Sequence, residues 1–292
     1  MFFAVGFESA PGRLKEILPL SVRILELVAI GVVVVSARSG VFFPRHFKLR
    51  SKGLEFLLAG NPVEAEKCYR SALDPGAKLK ESDRVRLMVC LGDALMDQGR
   101  YDEAKQCLAQ ALEIGDPTGS GQGSMCDVLL AQKASPEKAH GMADEAMRLR
   151  ERASSNESFG AGWAAASKDL YEAKTWARKA SALLILDRRE EARQAMDRAL
   201  RILDMSKSEL QTAKPASSLL GRLILGDRLP RMKELTISDA YWQIGLSLQA
   251  MGDTDKAKEE FVIVRDTDRV GKYRSLAEKE LDSLAHVSRN SR

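Results

Sequence analysis

The chain reads as all-α: a solenoid of helical hairpins preceded by one hydrophobic helix. Three observations predict this. After residue 45, apolar residues recur at helical spacing over most of the length. One order of small and large residues returns four times, beginning at Gly53, Gly92, Ala180 and Gly245. Finally, the run 17–37, ILPLSVRILELVAIGVVVVSA, is 21 residues long, and a bilayer-spanning helix needs about 20. With 292 residues, 45% hydrophobic and 29% charged, the sequence can bury a continuous core.

Residues 1–16 form a short N-terminal segment ahead of the hydrophobic run at 17–37. Arg23 and Glu26 interrupt that run, but they are three residues apart and can pair on one helix face, with Arg23 reaching towards the head groups. The first reading is a single-pass anchor. A basic linker at 38–45 and the residues beyond it carry Arg38, Arg45, Lys48, Arg50 and Lys52, against only Arg13 and Lys15 before the run. That bias places the following domain in the cytoplasm. A second reading is a signal peptide cleaved after Val35-Ser36-Ala37, which would export the domain. A third is a helix packed against the repeats. Residues 1–52 hold eight Lys/Arg against three Glu, and the remaining chain holds 37 bases against 38 acids. The main domain is therefore neutral, which speaks against nucleic-acid binding, since that needs a concentrated basic face.

The hairpins follow in order. Around Gly53, Phe56 comes three residues on, Ala65 twelve, Tyr69 sixteen and Ala72 nineteen, with a corner at Gly60-Asn61-Pro62. Pro62 suits the first turn of the second helix. Around Gly92 the same places hold Leu95, Ala104, Leu108 and Ala111, with a corner at Gly99-Arg100. Gly119–Ser124 reads as a flexible link into a weaker unit, in which Val128, Leu129 and Leu130 form a short helix and Ala139, Ala143 and Ala146 a second one. Ser135-Pro136-Glu137 supplies an N-cap, a proline at the first helical position and an early acid. Ser154–Gly162 reads as a loop. A clear unit then centres on Ala180, with Leu183, Ala192, Met196 and Ala199, and another on Gly245, with Leu248, Ala257 and Phe261. Tyr273, Leu276, Ala277, Leu281 and Leu284 make an amphipathic helix fit to cap an open end. The solenoid is expected over 46–286, with irregular segments at 154–172 and 207–237 and a polar tail at 287–292; a short helix is expected at Ser217–Leu225.

The alignment of Gly53/Gly92/Ala180/Gly245, Ala65/Ala104/Ala192/Ala257, Tyr69/Leu108/Met196/Phe261 and Ala72/Ala111/Ala199 resembles the tetratricopeptide repeat (TPR) family. Val264 departs from the last alanine, and Lys179 from the usual apolar residue beside Ala180. The resemblance implies a right-handed superhelix whose first helices line a concave groove that binds a peptide or protein partner. On those helices Arg86, Val89, Asp93 and Met96 share one face at three- and four-residue spacing, and Lys174 and Ser181, then Trp242 and Gln249, are their counterparts. Trp242 reads either as an exposed anchor or as a residue packed under the 207–237 segment. TPR proteins that clamp a chaperone's C-terminal carboxylate use asparagines where this chain has Leu54 and Cys90, so that activity is not expected.

Nothing in the sequence points to an enzyme. His46, His140 and His286 stand apart, and HExxH, GxSxG and P-loop motifs are absent. No catalytic residue, metal, cofactor or small-molecule substrate is expected. Cys68, Cys90, Cys107 and Cys126 form no CxxC, and Cys68 and Cys107 repeat at one position, as small packing residues would. The expected function is a scaffold for protein–protein interaction. It is anchored to the membrane through 17–37 or, alternatively, exported to assist envelope assembly or substrate handling.

Overall fold

The computed structural model describes residues 44–154, 161–212, 228–268 and 271–290. Within these residues are eleven α-helices and no strand. They are α1 (Arg45–Leu58), α2 (Pro62–Ala72), α3 (Glu81–Asp97), α4 (Tyr101–Ile114), α5 (Ser120–Ala131), α6 (Pro136–Ser154), α7 (Ala161–Ile185), α8 (Arg189–Thr212), α9 (Arg228–Ala250), α10 (Thr254–Thr267) and α11 (Lys272–Asn290). Consecutive helices pair as five hairpins, and α11 packs on the last of them. The hydrophobic run at 17–37 and the helix expected at Ser217–Leu225 lie outside the described residues. Among the described residues, no helix is long and apolar enough to cross a membrane.

Small residues set the spacing inside each hairpin. A Cβ added to Gly53 would lie 2.5 Å from the Tyr69 ring, one on Gly92 2.7 Å from Leu108, and one on Gly245 2.6 Å from Phe261. The large partner fills the space that the glycine leaves, and Tyr69, Leu108 and Phe261 are wholly buried. Three of the five corners turn through a left-handed glycine: Gly60, Gly99 and Gly252. In the fourth, Asp187 takes the same conformation at φ 57°, a strain on the order of 1 kcal/mol for a residue with a Cβ.

The middle hairpin explains its own weak signal. Its corner has two left-handed residues, Lys133 and Ser135, where the other hairpins have one. The hydrogen bonds Lys133 N to Leu130 O and Ala134 N to Leu129 O match Gly99 N to Met96 O and Arg100 N to Leu95 O. Lys133 therefore corresponds to Gly99, and the residue corresponding to Gly92 is Cys126. Ala139 falls thirteen residues after it rather than twelve. One inserted residue thus shifts the second helix against the first. The volumes change with it: Cys126 takes the small-residue position and Ala143 the large one, and both are wholly buried.

Two boundaries differ from the sequence reading. The Gly119–Ser124 stretch is not a flexible link, because Ser120 opens α5. Buried Asp116 holds that helix start by accepting from Gly121 N at 2.6 Å and from Thr118 N at 2.9 Å. The segment expected to be irregular at 154–172 is helical from Ala161, because α7 runs 25 residues to Ile185. Its partner α8 is also long, 24 residues, and carries helix through to Thr212 inside the segment expected to be irregular at 207–237. Two apolar clusters fill the stack, one through α1–α6 with Ala182 and one through α7–α11.

Candidate partner-binding face

The first helices of successive hairpins, α3, α5, α7 and α9, bring polar side chains to one inner face, and α11 closes beside them. Two positions meet repeatedly. Asp93, one residue after the small residue of its hairpin, is hydrogen-bonded by Ser124, two residues before the small residue of the next. The same relation joins Asp127 to Arg178, whose guanidinium donates through Nε at 2.7 Å and Nη2 at 2.5 Å to the two carboxylate oxygens. Arg178 is 4% exposed and Asp127 10%. Gly123 makes room for the guanidinium, since a Cβ there would lie 2.6 Å from Arg178 Nη1. Tyr171 adds a bond from its hydroxyl to Gly119 O at 2.7 Å.

A third position carries Arg86, Lys174 and Asp239, each six residues before its small residue. Lys174 donates to Asp239 Oδ2 at 2.5 Å, and the Tyr273 hydroxyl donates to Asp239 Oδ1 at 2.7 Å. Burial alone would raise the Asp239 carboxyl, but the Lys174 charge and these two hydrogen bonds outweigh it and hold the group below its usual range. Burial pushes the Asp93 carboxyl up to about 6, against the lowering effects of the Ser124 hydroxyl and Lys174. Desolvation disfavours the Arg178 cation, yet Asp127 more than compensates and keeps it firmly protonated.

The sequence-predicted residues therefore scatter in role. Arg86 is exposed and Asp93 is on the inner face. Val89 is not a groove residue: it is 7% exposed and packs in the core, beneath α5 at Gly121. Met96 is half-buried against the same core. Lys174 is engaged by Asp239, and Ser181 shares a 2.7 Å hydrogen bond with Ser247 between α7 and α9. Trp242 is not an exposed anchor, and residues 213–227 of the segment it was alternatively expected to pack under lie outside the described residues. It is half-buried, with its ring 5.3 Å from Phe261 and 6.5 Å from Tyr273. Gln249 donates to Glu280 on α11 at 3.1 Å. Sequence reasoning missed Asp127, Asp239, Tyr273 and Asp97 as members of this face.

Among the described residues, no three His, Cys, Asp or Glu side chains converge as metal ligands. The cysteines are free, and burial raises each thiol, to about 12 for Cys90 and Cys126 and about 11 for Cys107, so they behave as packing groups.

Family profiles described as tetratricopeptide repeat match residues 85–116, 173–202 and 239–265, which fall on α3–α4, α7–α8 and α9–α10. These three hairpins are tetratricopeptide repeats. The hairpins α1–α2 and α5–α6 lie outside the matched residues. Comparison with curated proteins gives no match. Solved structures similar to the chain include the apo form of RapI, at 11% identity over 84% of this chain and 92% of that one, with a TM-score of 0.48. The MamA RS-1 ArsTM double mutant is similar at 16% identity over 77% and 96%, with a TM-score of 0.41. A tetratricopeptide repeat protein from Parabacteroides merdae is similar at 17% identity over 82% and 99%, with a TM-score of 0.32. Tetratricopeptide repeats generally mediate protein–protein interaction, and the repeat is typically a non-enzymatic scaffold.

Proposed function

We propose that this protein is an adaptor that binds a peptide or protein partner on the inner face of its repeats, held at the membrane through residues 17–37 with the repeats on the cytoplasmic side. The observation that carries the reading is convergence. Asp93, Asp127, Lys174, Arg178 and Asp239 come from four different helices yet face one another, and Arg86 extends the face outward as an exposed cation. Fixed, oriented charges give such a face specificity for its partner. Because Lys174 and Arg178 are already engaged by carboxylates, the face is poorly suited to capture a free C-terminal carboxylate.

The test compares proteins captured by the wild type with those captured by Arg86→Glu, by Asp93→Lys and by Glu113→Lys, an exposed control on α4. The reading expects both inner-face variants to lose partners that the α4 variant keeps. Equal capture by all of them would reject the inner face as the binding surface. N-terminal sequencing with membrane fractionation tests the anchor: a mature protein beginning at Arg38 would replace it with the exported form, an envelope-assembly or substrate-handling protein.

A further inference from the structure

The inner face is not open along its whole length. The N-terminal end of α11 crosses from the last hairpin to the first two, far beyond the reach of a cap that touches only its neighbour. Lys272 Nζ lies 2.6 Å from Asp97 Oδ2 on α3, a contact spanning 175 residues of sequence. At the α1–α2 corner, a Cβ on Gly60 would lie 3.5 Å from Lys272 Cβ. Tyr273 donates its hydroxyl to Asp239, and its ring rests against Trp242. The turn into α11 is fixed by buried Asp268, which accepts from Gly271 N at 3.0 Å and Tyr273 N at 2.9 Å.

The chemistry of this contact is that of a ligand in a site. Among the described residues, Asp93, Asp127 and Asp239 are opposed by Lys174 and Arg178, and Arg86 stands exposed at the edge of the face, while the cation paired with Asp97 is Lys272 from α11. Lys272 and Asp97 keep 19% and 22% of their side-chain surface exposed, so water reaches the pair and the contact can exchange. The apolar stripe of α11 begins at Tyr273, which packs against the edge of the cluster that holds the last hairpin, and continues to Ala277 and Leu284, buried in that cluster about one and three turns further along the helix. One end of the helix can therefore release while the other stays docked.

We propose that Lys272-Tyr273 is an intramolecular ligand that occupies the inner face, and that the partner which displaces it offers the same chemistry, a lysine or arginine adjacent to an aromatic residue. This deepens the binding reading above and rests on it. The latch keeps the face closed to weakly matched segments. A partner must supply both a cation for Asp97 and an aromatic hydroxyl or ring for the Asp239–Trp242 end.

Two measurements on the full chain test this. Spin labels at Lys67→Cys on α2 and Lys279→Cys on α11 report the distance between the two ends of the stack. Lys272→Glu is expected to lengthen and broaden that distance, and adding Asp97→Lys to restore it. In the second measurement, a fluorescent peptide with the sequence of residues 271–279, GKYRSLAEK, is titrated onto the wild type and onto Lys272→Glu/Tyr273→Ala. At least ten-fold tighter binding to the double variant is expected, lost when the peptide's first lysine becomes glutamate or when Asp97→Asn and Asp239→Asn are added. If the double variant fails to fold, Tyr273→Phe keeps the packed ring while removing the hydroxyl, and is expected to bind the peptide several-fold tighter than the wild type. An unchanged distance in Lys272→Glu overturns the latch. Equal peptide binding to closed and open forms, or none to the open form, overturns the basic-aromatic partner. Both results are separate from the capture experiment, which alone decides whether the inner face binds partners at all.

Discussion

Replacing Asp127 with alanine would strand a guanidinium that has almost no water. Arg178 is 4% exposed, and two of its three nitrogens spend their hydrogen bonds on Asp127 while Nη1 already has no protein partner. Losing the carboxylate removes two charge-assisted bonds and leaves an uncompensated buried cation, a change worth about 3–5 kcal/mol. That is a large share of the roughly 5–15 kcal/mol that holds a typical domain folded. The pair itself is worth far less than its breakage, because both ions were desolvated to form it. Asp127→Leu with Arg178→Met, apolar and of similar volume, should therefore fall within about 1–2 kcal/mol of the wild type. Urea denaturation followed by circular dichroism on the two single variants and the double gives the coupling energy directly. A loss below about 1 kcal/mol for Asp127→Ala, or a double variant as unstable as the sum of the singles, would refute the account of Arg178 as a buried, carboxylate-dependent cation.

The Asp93 carboxyl, pushed up to about 6 by burial, binds its proton more tightly in the folded chain than in the unfolded one. Its ionisation therefore opposes folding. The cost is absent at low pH, grows between about pH 4 and 6 and is complete above it. Asp93→Asn should stabilise the protein by about 3 kcal/mol at pH 8, with the gain fading towards pH 4; thermal melts across that range check it, and a pH-independent difference would contradict it. In the hairpin cores, Gly92→Ala should cost about 1–3 kcal/mol, because its Cβ would lie 2.7 Å from Leu108. Leu108→Ala alone should cost about 2–5 kcal/mol, and the two together less than their sum, since the new methyl occupies part of the vacated space. Strict additivity in denaturation would show that the two residues do not share that space.

The repeated hairpins were legible because their signal is local. Gly92, Ala104 and Leu108 meet within a single hairpin, so spacing along the chain reports the contact. The middle hairpin hid because its inserted corner residue shifted one helix by a single position and Cys126 and Ala143 exchanged volumes. Glycine content at 119–123 reads as flexibility, yet Gly121 and Gly123 are small so that Val89 and Arg178 can approach, and Asp116 holds the helix start. The inner face was legible only in part. Helical spacing finds the stripe that contains Arg86, Val89 and Asp93, but neighbouring hairpins flank that stripe, and only the tertiary crossing decides that Val89 goes under α5. Pairings such as Asp127 with Arg178, 51 residues apart, and Asp97 with Lys272, 175 apart, depend on how the hairpins rotate against one another, which no local pattern encodes.

The contact between Lys272 and the second hairpin also changes what kind of object the stack is. In a linear array each hairpin feels only its neighbours, and the terminal ones, with a neighbour on one side, fray first. Here the last helix touches Asp97 and the Gly60 corner, so the array has a boundary condition that ties its end to its beginning. Fraying at the start of the stack and release of the Lys272 end of α11 are then coupled through these contacts. The loop they close is long, but each doubling of loop length adds only about 0.6 kcal/mol to the entropy of closure, so a modest contact can keep the ends in register.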